Sequence, residues 1–567
     1  MSAKQKAPTQ DSVFIEYEKG KSFNEQIHLD DIVEQNENFY NDKQWEGVQA
    51  NGLTTPQISY SKRTLLFAVA TTISDNIHMQ ASTLAVAPDQ DEAERVAQIV
   101  TNEFESIFEY NKIPSTIREY ARDSAVDGDG CIFTYWDPDV QTGQMVPGAI
   151  TSEIIDNTRV FFGNPNERHA QKQPYIIIEK QELLDDIKYS AEKNGVSNDN
   201  ISQIQPDSNG ARNTPSRLTD GKCTVLLRLW KSRDTGTIWA CECVRNVMIR
   251  KPWDLKIRRY PITWFNWESI KDCYHGQAMM TGMIDNQKAV NKLYAMVITS
   301  ISQSAFPKTV YDKTRIHSWN NQVGAAIGIN GGDVSQAAKI LEPAQISPQV
   351  SQFIDSFINY SQSVKGATKV ALGDTRPDNT SAIVALQKAA SAPNEITKQN
   401  LYASIEEYGQ ICLEFMIEYY GIRIIKKAKI PAENQMMQEQ TQEKVDLFDF
   451  SSLRKTPMLI KLDVGASSYY NEAMTQTTLD NLLRVNNPEF SIVDYIERIP
   501  SDRFPQKQAW LDKTKLNEQM QMQMQQQQQQ QGGNPMNPNM PVTGQAAPIP
   551  QGAGFSQLQR EIVKQGV

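Results

Sequence analysis

The chain has 567 residues, 39% of them hydrophobic and 22% charged, which is too long for one compact core and suits a folded protein with some disordered margin. No run approaches the roughly 18 to 20 apolar residues of a membrane span, the polar N-terminus lacks a signal-peptide core, and six cysteines are too few for a disulfide scaffold. The net charge of −10, from 57 basic and 67 acidic residues, argues against a tight, sequence-independent grip on nucleic acid, which needs rows of Lys and Arg on phosphates. An intracellular or virion-internal, reduced protein with no membrane partner is expected.

Residues 30–52 open with an aromatic-rich helical stretch holding Phe39, Tyr40 and Trp45. Leu65, Val69, Ile73 and Ile77 recur every fourth residue and predict a helix from about Ser61 to Ser82. A second helix begins near Glu92 with Val96, Ile99, Val100, Phe104 and Phe108 on one face, and a third covers about Ser115 to Ala125. The period then changes. "CIFTYWDPDVQTGQMVPGAIT" reads as strand, turn and return strand, and "TRVFFGNPN" and "QPYIIIEKQ" add further β character. "LLDDIKYSAEKNG" is a short helix ended by Gly195, and residues 196–221 read as a loop. "KCTVLLRLWKSRDTGTIWACECVRNVMIRK" is an antiparallel hairpin turning near Asp234, Thr235 and Gly236. The first half is α+β.

The middle differs. Met279, Met283, Val290, Leu293, Val297 and Ile301 predict a long helix over residues 276–305, with Pro307 just beyond its end. Short β-like runs and four glycines follow, and the helical period resumes at Val350, Phe353, Ile354, Phe357, Ile358 and Val364. A small module is therefore expected at the far end of two antiparallel helices. Next comes "SVKGATKVALGDTRPDNTSA", a charged loop with two glycines and a proline. A further helix is predicted from about Ser381 to Arg423. Pro393 should kink it near Ala389 to Pro393 by removing a backbone hydrogen bond. "TPMLIKLDVGASS" is a strand, and "YNEAMTQTTLDNLLRVNN" and "SIVDYIERI" are short helices. From about Glu518 the chain is Gln- and Pro-rich and reads as disordered. Phe555, Leu558, Ile562 and Val563 close it at helical spacing, either as a tethered docking helix or as a frayed tail.

Catalytic signatures are lacking. The "GKS" at 20–22 resembles a phosphate-binding loop, but the glycine required five residues before Gly20 is Ile15. "VDGDG" at 126–130 lacks the remaining ligands of a calcium loop and reads as a plain turn. Cys241 and Cys243 fall on one face of a strand without a second ligand pair, and five scattered histidines have no spacing partner. No enzyme activity, metal or cofactor is expected.

The order of features is similar to that of the portal proteins of tailed bacteriophages. The phrases "NENFYNDKQW", "YPITWFNWESIKDCYHGQAMMTGMIDNQKAVNKLYAMVITS", "KGATKVALGDTRPDNTSAIVALQKAA" and "IKLDVGASSYYNEAMTQTTLDNLL" carry the resemblance, over about residues 30 to 515. It implies a multi-domain α+β subunit assembling as a ring, usually of twelve copies, at one capsid vertex of the virion. Residues 1–275 would be the wing, 276–305 the first stem helix, 306–348 a small α/β clip and 349–365 the second stem helix. Residues 366–382 would be the tunnel loop, 383–470 a kinked long helix and wing strand, 471–517 a short helical crown, and 518–567 the tail. Double-stranded DNA would pass through the ring. The other partners implied are the large terminase that drives packaging, head-completion or adaptor proteins, and major capsid and scaffold proteins.

In that frame Lys365, Lys369 and Arg376 are the residues expected near DNA, offset by Asp374 and Asp378 so that the duplex is touched without being braked. Lys308, Lys313, Arg315 and Trp319 are the candidate partner-binding residues of the clip. The internal helix–module–helix unit disfavours the alternative of a non-enzymatic scaffold or adaptor of capsid or tail. The incomplete phosphate loop disfavours an ATP-using packaging enzyme.

Overall fold

A computed structural model describes residues 7–50, 52–73, 76–83, 90–207, 221–306, 308–320, 322, 326–341, 348–368, 372, 392–426, 445–455 and 458–465. The chain divides after Asn471 into two compact units, and every described residue belongs to the first. The short helices read beyond residue 471, the crown and the Gln-rich tail lie outside the described residues.

Helix α1, Gln10–Gln26, is set by a capping box: the Ser12 hydroxyl accepts from the Thr9 amide at 2.9 Å and the Thr9 hydroxyl from the Ser12 amide at 3.4 Å. Sequence reading missed it because few of its apolar residues share a stripe. It is fixed by contacts with distant strands instead. Glu16 grips Arg228 at 2.6 and 3.1 Å, Tyr17 donates to Glu179 at 3.0 Å, and Val13 and Tyr17 join a buried cluster with Phe161, Leu226 and Trp230. The GKS triplet lies within this helix, which is no place for a phosphate loop.

Helix α2 is Leu29–Tyr40, α3 Tyr60–Thr72, α4 Gln90–Tyr110 and α5 Ile113–Asp127. One expectation fails here. The helix predicted to reach Ser82 ends at α3, and β1, Asn76–Thr83, is a strand paired antiparallel with β16, Met458–Gly465. Ile77, Met79 and Ala81 alternate toward the core, a period-2 pattern that Ile73 and Ile77 had disguised as a helical step. The partner strand lies far downstream, so no local signal announces it.

Strands β2, Asp129–Asp137, β3, Ala149–Ile154, and β9, Ile262–Asn266, form an antiparallel sheet in the order β3-β2-β9. A second sheet takes β4, Val160–Phe162, β5, Tyr175–Leu183, β6, Lys222–Lys231, β7, Ile238–Cys243, and β8, Met248–Asp254, in sequence order. Helices α6, Leu184–Lys193, and α7, Asn198–Ile201, follow β5. The predicted hairpin is thus β6-β7, with Cys241 and Cys243 buried on one face.

The long helix read over residues 276–305 begins later than predicted. Gly276–Gln277 is a short strand, β11, paired with β10, Glu268–Ser269, and α8 runs over Thr281–Ala305. A Cβ at Gly276 would lie 2.8 Å from Asn266 Cβ and 2.9 Å from the Glu268 carbonyl, so this segment is held extended against its neighbours. Strands β12, Thr309–Tyr311, and β13, Ala338–Ile340, pair antiparallel, and α9 spans Pro348–Val364.

The last long helix, α10, covers Glu395–Phe415 and continues as a π-turn over Met416–Tyr420. Pro393 stands in a 3-10 turn, Ala392–Asn394, leading into α10; residues 381–391 of the predicted helix, and with them the expected kink, lie outside the described residues. One correction follows: the helix stops before Arg423, which belongs to β14, Ile422–Lys426, paired with β15, Val445–Asp449. The main core joins α3 to α5, both sheets, β1, β16 and α10 through residues such as Leu65, Phe104, Tyr120, Ile176, Tyr260 and Tyr408. At Gly409 the helix closes on the β1-β16 pair: a Cβ there would meet Met79 Sδ at 2.6 Å and Ile460 Cγ2 at 2.8 Å.

Candidate functional site

Helices α8 and α9 are antiparallel. Strands β12 and β13 bring the end of α8 to the start of α9, and at the opposite end Lys365, just past α9, lies over Gly282 near the start of α8. At 25 residues, α8 is about 37 Å long at 1.5 Å per residue.

Its root is a buried polar knot. Asp129 Oδ1 accepts from the Gly276 amide and from Asn266 Nδ2, both at 2.6 Å, while Oδ2 lies 2.6 Å from His275 Nδ1 and 3.3 Å from Asn157 Nδ2. His275 Nε2 faces Asn24 Oδ1 of α1 at 3.3 Å. Strand β2, helix α1 and the entry to α8 are thereby tied at one carboxylate, satisfied by donors on every side. Asp129 belongs to the "VDGDG" stretch, so this turn is structural, as read.

Above the root, α8 is held by amides. Asn36 Nδ2 donates to the Val126 carbonyl at 2.8 Å and to the Thr281 hydroxyl at 2.9 Å. Gln287 accepts from the Ser61 amide at 3.1 Å and donates to the Ile58 carbonyl and to Asn291 Oδ1, while Asn291 donates to Gln44 at 2.6 Å. All four amide side chains are buried. Such a ladder fixes the rotation and register of α8 more strictly than apolar packing does, because each rung has one geometry. Gln287 and Asn291 interrupt an apolar stripe, and that interruption was the signal available in the sequence.

Beside the root, Asp127 lies half-buried near Glu37, Asp123 and Asp156, with its Oδ1 fully buried. Its Oδ1 has no hydrogen-bond partner, and burial, then the Glu37 charge, pushes its carboxyl up to about 8.

The distal module places the candidate clip residues in two groups. Lys308 and Lys313 are exposed. Arg315 and Trp319 are half-buried: Arg315 pairs with Asp312 at 3.6 Å, and Trp319 stacks on Tyr311 at 5.3 Å. The Thr314 hydroxyl and amide donate to Asp312 at 2.6 and 2.8 Å and hold its carboxyl below the usual range. Ile316 and Ala337 are its small core, and Phe306, Val310, Ile340 and Leu341 stand exposed.

Where α9 ends, Gly366 takes φ +78°, its amide bonds the Ser363 carbonyl at 3.1 Å, and the Ala367 amide bonds that of Gln362 at 3.0 Å. This is a Schellman stop, so Gly366 terminates a helix here instead of loosening a loop. Lys365 pairs with Glu268 at 3.0 Å, and Arg63 of α3 reaches the Leu372 carbonyl at 3.4 Å. Lys369 and Arg376 lie outside the described residues. Neither Glu268 nor Arg63 was singled out from the sequence, since both are isolated in it.

Among the described residues no group of three or more His, Cys, Asp or Glu is arranged to hold a metal ion, and no helix is long and apolar enough to cross a membrane. Burial pushes the Cys241 thiol up to about 12, far from a reactive thiolate.

The model of the phage P22-like portal protein family matches residues 182–554, well over half the chain. The chain belongs to the P22-like phage portal family. The portal match takes in the five-stranded sheet from the end of β5, α8, the module between β12 and β13, and α9. It begins later than the resemblance read from the residues and runs further, into the Gln-rich segment. No curated protein matches this chain.

Proposed function

We propose that this chain is the repeating subunit of a non-enzymatic ring at one vertex of a phage capsid, through which double-stranded DNA is packaged and later ejected. The observation that carries this reading is the portal-family match across the helix–module–helix unit. In this reading α8 and α9 form the stem, and the module at 306–348 is the clip that docks the large terminase and then head-completion or adaptor proteins. Lys308, Lys313, Arg315 and Trp319 are its candidate contacts. Lys365, Lys369 and Arg376 would line the channel, with Lys365 released from Glu268 when DNA phosphates compete for it. Exposed ion pairs of this kind are worth little, so exchange is cheap. Twelve copies, assembly with scaffold and capsid proteins in the host cytoplasm, and a crown over 471–517 complete the proposal.

Single-particle electron microscopy of the purified protein, alone and co-expressed with its capsid protein, tests it. A ring with a central hole wide enough for duplex DNA is expected. A protein that stays monomeric under both conditions would overturn the reading.

A further inference from the structure

Asn–Gly pairs stand in the chain at 51–52, 194–195, 209–210 and 330–331. In such a pair the next backbone amide meets the asparagine side chain with the least hindrance, because glycine lacks a Cβ. Asn51 and the pair at 209–210 lie outside the described residues. The other two pairs are both exposed, but their amides are placed differently. Asn194 ends α6: the Gly195 amide donates to the Glu192 carbonyl at 2.9 Å, the Asn194 amide to the Ser190 carbonyl at 3.0 Å, and Asn194 Nδ2 reaches Ser190 Oγ at 3.5 Å. The Asn330 amide donates to the Arg315 carbonyl at 3.0 Å, but among the described residues nothing accepts from the Gly331 amide. A Cβ built on Gly331, which sits at φ +67°, would have no atom within 4 Å, so the turn has open space around it.

We propose that Asn330 is a site of self-modification, at which the Gly331 amide nitrogen attacks the side-chain carbonyl of Asn330. Hydroxide takes the amide proton, the new N–Cγ bond forms, and the Cγ–Nδ2 bond breaks, its nitrogen leaving as ammonia with a proton from water. The five-membered imide then takes up one water. Opening at Cγ gives aspartate. Opening at the backbone carbonyl gives isoaspartate, with the chain running through Cγ and one methylene longer. Either product carries a carboxylate where a neutral amide stood. Arg315 is the group placed to answer that charge. A Cβ on Gly332 would lie 3.5 Å from Arg315 Nη1, so the turn rests against a guanidinium whose present partner, Asp312, is 3.6 Å away. A solvent-exposed pair of that kind is weak, and re-pairing is cheap. The charge of one candidate partner contact of the module would thus be partly neutralised as the protein ages. The inference is independent of the ring reading, since the chemistry needs one chain and water.

The test is peptide mapping by mass spectrometry of the full-length protein, held in mildly alkaline buffer both folded and in urea. The fractions of the Asn330 and Asn194 peptides that gain the mass of an NH2-to-OH exchange are followed with time, and fragmentation separates aspartate from isoaspartate. In urea both sites are open, and comparable rates are expected. In the folded protein Asn330 should convert roughly tenfold or more faster than Asn194, whose following amide is freed only when the last turn of α6 opens. Asn330→Gln, which would have to close a six-membered ring, should lose the mass shift in its peptide and leave the Asn194 peptide unchanged, with thermal melting as the check on folding. An Asn330 peptide that stays unmodified in the folded protein, or converts no faster than the Asn194 peptide, would overturn the inference. So would a shift that persists in the same peptide of Asn330→Gln, because it would belong to another residue. None of these outcomes touches the ring reading.

Discussion

His275 Nδ1 lies 2.6 Å from Asp129 Oδ2, with both side chains buried, where the chain enters α8. Asp129 takes four donors, so replacing it with Asn sets an amide against at least one N–H. Asp129→Asn should destabilise the subunit by about 3–5 kcal/mol, because breaking a buried pair leaves its partner uncompensated. A urea titration checks it, and a loss under about 1 kcal/mol would show that the knot relaxes around water.

The amide ladder should be as unforgiving. Gln287→Ala leaves the Ser61 amide without its acceptor and takes one donor each from the Ile58 carbonyl and Asn291 Oδ1. A cost of about 2–4 kcal/mol is expected from unpaired buried groups and the space left behind. The reading is again chemical denaturation, with Lys288→Ala on the adjacent exposed position as a near-neutral comparison.

Asp127 gives a pH dependence with a defined sign. Its carboxyl titrates near 3.8 when unfolded and about 8 when folded, so the native state holds a proton that the unfolded chain releases. Its contribution to stability is therefore complete below about pH 4 and is lost as pH rises toward 8. Asp127→Asn should flatten this slope and raise stability at pH 8 by a few kcal/mol on the order-of-magnitude scale. Melting curves at pH 5 and pH 8 for both proteins decide it; identical slopes would count against a buried neutral carboxyl.

Gly409 marks the closest approach of α10 to the β1-β16 pair. Gly409→Val must push on Ile460 and Met79 and should cost about 1–3 kcal/mol by overpacking. Thermal melting reads the loss. A neutral result would mean that the strand pair shifts freely over the helix.

For the loop, replacing Lys365, Lys369 and Arg376 together with Ala should lower DNA packaging or DNA retention in filled heads without changing ring assembly. Unchanged packaging and retention would strip these three cations of their proposed role. Deleting residues 518–552 should in turn leave rings intact, and loss of soluble rings would make that segment structural.

Much of this protein was legible in the sequence wherever the signal is local. The periodicity of α4, α5 and α9, the β6-β7 hairpin with its buried cysteine pair, and the module between two long helices all follow from neighbouring residues choosing one face. The errors share one cause. Residues 76–83 became a strand because Met458–Gly465 offers a ladder to pair with. Helix α1 exists because Arg228 and Glu179 receive Glu16 and Tyr17. In each case the deciding partner lies far away in the chain, and a hydrogen bond or ion pair across that distance leaves no periodic trace. The sequence by itself determined which stretches are helical or extended and the order of the parts. Only the tertiary structure decided that Asp129 and His275 meet where the chain enters α8 and that the amides of Asn36, Gln44, Gln287 and Asn291 line up along it, because a buried polar group is specified by the one partner that satisfies it.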